Sequence, residues 1–222
     1  MNNTRIEYIK RLHEVEVYFD TLKLLDNGNC SIKCVDILGV ETIKKIDSEL
    51  SMILKANGYL LLYNLVESTI RKSIDAIISS IHNSSVTFRD LSDELRKIWI
   101  RQEGKNANVD GIMSIASSVL EDRLLRFKSD CINISGNIDA QEIRNILKQV
   151  GGKEIKDGRY LKAIKDKRNN LAHGEFSFSE IGKDCTVNDL IVYKDDAKEY
   201  LSKVLDEIES YINSQKYLKN KV

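Results

Sequence analysis

The sequence predicts an all-α protein, a bundle of helices packed around an apolar core, from three observations. Apolar residues recur three and four positions apart along nearly the whole chain, which is the spacing of one helix face. The chain contains no proline and only 11 glycines, so few positions oblige a helix to end. Alternation of apolar and polar residues, the mark of a half-buried strand, never continues beyond a few positions. These features favour helices joined by short polar turns.

Each predicted helix is bounded by residues that cap helices or form turns. The predicted helices are Arg5–Leu25, Glu41–Ile81, Leu91–Arg101, Gly111–Phe127, Asp139–Val150, Tyr160–His173 and Asp196–Tyr211. Candidate N-caps are Thr87 or Asp90, Asp139 and Asp195, whose side chains can accept hydrogen bonds from free N–H groups. Candidate stops are the turn cluster Asp26–Asn29, the pair Gly151–Gly152, and Gly174.

We expect a single domain over residues 1–222. Its core covers about residues 40–215, and residues 1–38 supply an N-terminal helix and loop that pack on the core or attach loosely to it. Two polar loops, Gly104–Asp110 and Gly151–Arg159, interrupt the second half, but both are too short for domain linkers.

Composition limits the functions that the chain can have. Lys and Arg total 34 and so do Asp and Glu, so a nucleic-acid partner would need a local basic patch. Four scattered cysteines lack metal-ligand spacing and make a poor disulfide framework, so we expect reduced thiols, no metal and no cofactor. The polar N-terminus and the lack of a long apolar stretch predict a soluble cytoplasmic protein without membrane contact.

The helix Tyr160–His173 carries the residues best suited to chemistry. At about 100° per residue, Leu161, Ile164, Leu171 and Ala172 form one apolar stripe, and Arg168 falls inside it. A guanidinium among core-facing positions is costly unless it is paired or used. Asn169 and His173 share a neighbouring face, and His173 directly precedes Gly174 at the predicted helix end. A permanent cation, an amide and a group that titrates near neutrality are the tools of metal-free phosphodiester cleavage.

Each of these residues also has a purely structural interpretation. Arg168 can be an ion-pair partner, and His173 can be a favourable contact with the helix dipole. The predicted helix Glu41–Ile81 poses a similar choice, because its seam is apolar at both ends and polar in the middle. Glu67 can pair with Arg71 four residues later, or it can line a polar site with Asn57 and Asn64 opposite Arg168 and His173.

A local excess of positive charge surrounds Arg168. Residues 153–173 hold seven cationic side chains, Lys165 and Lys167 among them, against three acidic ones. Phosphate backbones need such a patch, although a charged run is often only a solvated face. We therefore place Lys165, Lys167 and Asn170 with Asn64 and Glu67 as candidate substrate-binding or supporting residues.

The run Lys167-Arg168-Asn169-Asn170-Leu171-Ala172-His173-Gly174 resembles the signature of the HEPN superfamily: an Arg, usually a polar residue next, and a His after four to six intervening residues. The resemblance extends toward stand-alone prokaryotic HEPN proteins through Tyr63–Thr69, Leu91-Ser92 with Trp99, Ser135–Asp139, Phe176–Phe178 and Thr186–Leu190. These cues together cover about residues 43–211.

The resemblance implies a metal-independent endoribonuclease that acts as a toxin or antiviral defence effector. It implies that the 2′-hydroxyl of RNA attacks the adjacent phosphate, with His173 as general acid or base, Arg168 holding the phosphate and Asn169 positioning the site. It also implies a homodimer that joins two such motifs, and as further partners an antitoxin or another defence-system protein. The alternatives are a non-catalytic HEPN module that binds nucleotides or partners, and a helical assembly subunit of a defence complex.

Overall fold

The computed structural model describes residues 1–26, 30–105 and 108–219. Within them, eight helices and one two-stranded antiparallel sheet confirm the all-α fold class. The elements in chain order are α1 Asn2–Asp26, β1 Ser31–Val35, β2 Glu41–Lys45, α2 Ser48–Asn83, α3 Asp93–Gly104, α4 Val109–Leu120, α5 Ala140–Val150, α6 Leu161–Ala172, α7 Phe178–Lys183 and α8 Val187–Asn213. None of the described helices is both long enough and apolar enough to cross a bilayer.

The described chain divides into two compact units, and both are discontinuous in sequence. One unit comprises Met1–Glu7, Glu67–Asp157 and Tyr200–Val222, and the other comprises Tyr8–Val66 and Gly158–Glu199. We call them the α5 unit and the α6 unit after a helix that lies wholly in each. The single domain over residues 1–222 stays a prediction.

The α5 unit is built around the second half of α2, with α3, α4, α5 and the end of α8. Its core contains Ile74, Leu95, Trp99, Ile143 and Leu205, each at most 4% exposed. Buried tyrosines tie its chain segments together through their hydroxyl groups. The hydroxyl of Tyr211 donates to the carbonyl of Val150 at 2.7 Å, and Tyr217 shares a 2.8 Å hydrogen bond with Ser84.

The α6 unit contains most of α1, the hairpin, the first half of α2, α6, α7 and the start of α8. Its core includes Val15, Phe19, Tyr59, Leu62 and Leu190, all at most 2% exposed.

One glycine permits close packing in the α6 unit. It is not Gly58, where an added Cβ would meet Phe19 and Leu190 at ordinary contact distance. At Gly182 of α7, an added Cβ would lie 1.9 Å from the carbonyl oxygen of Met52 on α2. Only glycine therefore allows α7 to approach α2 this closely.

The prediction that a helix begins at Glu41 is wrong. Glu41–Lys45 is β2, paired with β1, and α2 begins at Ser48 after Asp47, whose carboxylate accepts the Leu50 N–H at 2.8 Å. The hairpin turn depends on Asp36, whose carboxylate accepts the N–H groups of Leu38 and Val40 at 2.8 and 2.9 Å. Gly39 supplies the left-handed position of this turn, with φ +80°.

Several predicted helix ends also need correction. Ser92, rather than Thr87 or Asp90, caps α3, because the carboxylate of Asp90 is used by Thr87 in the preceding turn. The helix predicted to reach Phe127 ends at Leu120. Helix α7 was not predicted, and it begins with a capping box of Ser177 and Glu180.

Helix α8 begins at Val187, well before Asp196, and Thr186 and Asp189 exchange hydrogen bonds at its start. Asp195 is therefore not an N-cap. Charged residues at 194–196 interrupt the apolar spacing without interrupting the helix. The cap at Asp139 and the stop at Gly151, where φ is +79°, are confirmed.

Candidate active site

Helix α6 carries the predicted catalytic residues, and its buried side fixes their placement. Leu161, Ile164 and Leu171 are buried, as predicted for the apolar stripe, whereas Ala172 is exposed and does not belong to it. The start of the helix is held by its own unit, since the N–H of Tyr160 donates to the carboxylate of Asp196 at 3.3 Å.

The end of α6 is a Schellman motif that places His173 at the C-cap. Gly174, with φ +69°, donates its N–H to the carbonyl of Leu171, and Glu175 donates to the carbonyl of Asn170 at 3.0 Å. His173 itself donates its backbone N–H to Asn169 at 2.9 Å, and its side chain is exposed. The predicted stop at Gly174 is confirmed, and it leaves the imidazole accessible at the helix end.

Arg168 lies against an aromatic ring. Its guanidinium carbon is 3.6 Å from the ring centroid of Tyr63, a buried residue on α2. This is the short, stacked cation–π arrangement that arginine favours. A guanidinium within an apolar stripe needs a partner, and Tyr63 provides one for Arg168 within the same chain.

Asn169 and Asn170 differ in role. Asn169 is half-buried, and its side-chain oxygen is shielded from solvent, as is the Nε of Arg168. The Asn170 amide nitrogen lies 3.2 Å from both the Asp166 carbonyl and the Glu175 carboxylate, an arrangement that satisfies the amide as a donor. Asn170 thus stabilises the turn after α6, and its assignment as a substrate-binding or supporting residue stays a prediction.

The two candidate lysines each have an acidic neighbour. Lys165 Nζ lies 3.5 Å from Asp166, and Lys167 Nζ lies 3.6 Å from Asp184. Asp184 is an exposed carboxylate, and an ion pair of this kind contributes little free energy, so the Lys167 ammonium group is able to exchange toward a phosphate. Residues 159–173 of the α6 unit hold five cationic side chains against one acidic side chain, Asp166.

The polar residues in the middle of the predicted α2 seam do not line one continuous site. Glu67 pairs with Arg71 at 2.9 Å, which is the first of the two alternatives. The Asn57 amide donates to the carbonyl of Ile53 in its own helix at 3.0 Å, and Asn64 is exposed. Asn64 belongs to the α6 unit, whereas Glu67 belongs to the α5 unit.

Sequence reasoning missed an aromatic group at the start of α6. Tyr160 and Tyr193 stack with ring centroids 4.7 Å apart, and the Arg159 guanidinium lies 4.5 Å over the Tyr160 ring. Burial raises the pKa of Tyr193, so its phenol stays protonated well above neutral pH. Tyr63 was missed in the same way, although it stands within one of the runs that carry the family resemblance. No local pattern marks a tyrosine as the partner of a distant arginine.

The remaining histidines and cysteines lie outside this site. Nε2 of His82 accepts the N–H of Phe127 at 2.9 Å, which is a structural role, and His13 is exposed on α1. The four cysteines, all in described segments, are free thiols. Among the described residues, no three His, Cys, Asp or Glu side chains are grouped to hold a metal ion.

Comparison with known proteins identifies a family. The family described as HEPN_MAE_28990-like HEPN matches residues 7–217, which include the three predicted catalytic residues, Arg168, Asn169 and His173. No curated protein and no solved structure matches the chain.

Proposed function

The chain belongs to the HEPN_MAE_28990-like HEPN family, and we propose that it is a metal-independent endoribonuclease. The observation that carries the proposal is the pairing on α6 of a ring-stacked Arg168 with an exposed His173 at the helix end. The first is a fixed cation for a phosphate, and the second is a solvent-accessible proton donor or acceptor.

In the proposed reaction, the 2′-oxygen of a ribose attacks the adjacent phosphorus and the bond to the 5′-oxygen breaks. His173 removes the 2′-hydroxyl proton or protonates the departing 5′-oxygen, and Arg168 stabilises the charge that develops on the phosphoryl oxygens. The products are a 2′,3′-cyclic phosphate and a 5′-hydroxyl. Asn169 orients Arg168 and the helix end.

The substrate is RNA, and the protein acts as a toxin or antiviral defence effector. The excess of cations over residues 159–173 supports this choice of substrate, since phosphate contacts supply most of the affinity for nucleic acids. The aromatic residues Tyr160 and Tyr193, beside Arg159, add a surface suited to unpaired bases.

A homodimer through α6 would complete the site. Arg168 and His173 are five positions apart, so at about 100° per residue the two side chains leave the helix about 140° apart. A second copy related by a two-fold axis would bring its own His173 beside Arg168 and supply the second proton-transfer group. A strict monomer with intact cleavage in light scattering at micromolar concentration would contradict this arrangement.

The test is incubation of purified protein with total RNA in excess EDTA, beside His173→Ala, Arg168→Ala and His13→Ala. We expect the wild-type protein to cleave in EDTA and His173→Ala to be slower by about 10²–10⁴-fold, as for loss of a general acid–base group. His13→Ala, which removes an exposed helical histidine elsewhere, controls for histidine loss and should cleave normally.

Melting temperatures in the same preparations separate chemistry from folding. His173 is exposed, so its truncation should lower stability by no more than about 1 kcal/mol. Near wild-type cleavage by His173→Ala, or a reversible stop in EDTA, would overturn the mechanism. An inactive wild-type protein that still binds RNA would make the chain a binding module instead.

A further inference from the structure

The β-hairpin of the α6 unit is exposed on both faces. All ten residues of β1 and β2 are exposed, including Ile32 at 47%, Val35 at 58% and Ile43 at 64%. A two-stranded hairpin without a covered face is marginally stable in water. Here the Asp36 turn gives the hairpin a defined register, so its outer edges are ordered templates for another strand.

The hydrogen bonds of the hairpin show which backbone groups face outward. The backbone N–H of Asp36 donates to the carbonyl of Val40 at 3.1 Å, and the backbone N–H of Ile46 donates to the carbonyl of Cys30 at 3.0 Å. Asp36 with Val40 and Cys30 with Ile46 are therefore hydrogen-bonded pairs of the ladder. Since such pairs alternate along an antiparallel ladder, Thr42 and Lys44 also point their backbone groups toward β1. The N–H and C=O groups of the other three β2 residues therefore point away from β1; these residues are Glu41, Ile43 and Lys45.

We propose that β2 pairs antiparallel with β2 of a second copy of this chain, with the two-fold axis at Ile43. In this register Ile43 lies directly across from Ile43 of the second copy. At each end of the contact, Glu41 of one copy lies across from Lys45 of the other. Every outward backbone group of β2 then meets an outward group, and all five residues pair. The product is a four-stranded sheet in the order β1-β2-β2-β1.

Charge complementarity favours this edge and this occupant. Opposite charges directly across a strand pair stabilise it, and the contact contains two such pairs around an apolar centre. Glu41 already lies 2.6 Å from Lys33 on the same face, so each Glu41 would sit between two lysines. The β1 edge lacks this property, because the same self-pairing centred on β1 would oppose Lys33 to its own equivalent. A lysine in the middle of an edge strand discourages pairing.

This contact does not rest on the proposed ribonuclease activity and is distinct from the proposed dimer through α6. Each of the two contacts has its own two-fold axis. If both form, the assembly grows beyond a dimer.

The test uses two single variants of the full chain, Glu41→Lys and Lys45→Glu, and sedimentation equilibrium. Each variant places two like charges directly across from each other at both ends of the contact. We therefore expect each variant to raise the dissociation constant of self-association on the order of tenfold. An equimolar mixture restores complementary charges between unlike chains, so it should recover the wild-type association. Lys44→Glu is the matched control, since Lys44 would face Thr42 of the second copy and its substitution should leave association unchanged.

Recovery in the mixture distinguishes pairing from loss of folding, because a misfolded hairpin would not be rescued by a second misfolded one. The proposal is overturned by a wild-type protein that shows no association sensitive to Glu41 and Lys45. It is equally overturned by two weakened variants whose mixture stays dissociated. Neither result would bear on cleavage by His173, which is measured separately.

Discussion

At the scale of single residues, the site depends on how Arg168 is held. The guanidinium lies 3.6 Å from the centre of the Tyr63 ring, and this ring is itself buried in α2. A planar cation fixed on a ring loses less conformational freedom when it binds a phosphate than a mobile side chain does. Tyr63 thus orients the cation that we propose contacts RNA, and we propose Tyr63 as a positioning residue.

Replacing Tyr63 tests this role. Tyr63→Leu removes the ring face, so we expect about 1 kcal/mol lower stability and cleavage reduced on the order of tenfold. Tyr63→Phe keeps the ring and should retain most of the activity. The measurement is single-turnover cleavage together with thermal unfolding. Equal activity of the Leu and Phe variants would show that the ring does not position Arg168.

At the scale of elements, the position of α6 depends on neighbours that hold its unit together. Helix α7 follows the Gly174 turn and approaches the first turns of α2 so closely that its Gly182 meets backbone. Lys55 of α2 also contacts the chain just after α7, where its Nζ donates to the carbonyl of Cys185 at 2.8 Å. These contacts tie the chain after the site to the helix that carries Tyr63.

The close approach at Gly182 gives a prediction for the element. Gly182→Ala would place a methyl group against the Met52 carbonyl, so α7 must move and stability should fall by about 1–3 kcal/mol. Gly136→Ala is the control, because nothing lies within 4 Å of an added Cβ there. Urea unfolding of both variants makes the comparison. A Gly182→Ala variant as stable as the control would show that α7 is not held at this distance.

At the scale of the whole molecule, buried tyrosines couple stability to alkaline pH. Burial raises the pKa of Tyr8 to about 12 in the α6 unit, and that of Tyr200 to about 12 in the α5 unit. Their hydroxyls donate to the backbone carbonyls of Lys198 and Ala140. In the unfolded chain these phenols have a pKa of about 10. The folded protein therefore binds more protons than the unfolded chain between pH 10 and 12.

This difference in bound protons sets how the free energy of unfolding changes with pH. The contribution of the buried tyrosines to the free energy of unfolding is fully present below pH 10. It is lost as the pH rises through 12, by about 1.4 kcal/mol per tyrosine per pH unit. We expect unfolding and tyrosine ionisation, followed by circular dichroism and absorbance at alkaline pH, to occur together. Tyr200→Phe should reduce the steepness of this loss. Full ionisation of the tyrosines while the helices remain intact would contradict the prediction.

The local pattern of the chain decides most of the helices and the location of the candidate site. Regular apolar spacing marks α1, α2, α3, α5 and α6, because a helix face is defined by neighbours three and four residues apart. Asp139 and Gly174 mark helix ends for a similarly local reason, since a cap and a left-handed turn each involve only a few successive residues. The hexad Arg168–His173 is likewise visible without any knowledge of what surrounds it.

Tertiary structure decided what depends on residues far apart in the chain. The apolar spacing of Glu41–Lys45 continues that of α2 and predicts a helix. The segment is nevertheless a strand, because it forms backbone hydrogen bonds with β1 and because Asp47 caps the start of α2. Arg168 sits in an apolar stripe on any helical wheel, but its partner is a ring on α2 that no spacing rule connects to it. Local propensities act over a few residues, whereas the partner of a strand edge or a cation is chosen by the packing of whole elements.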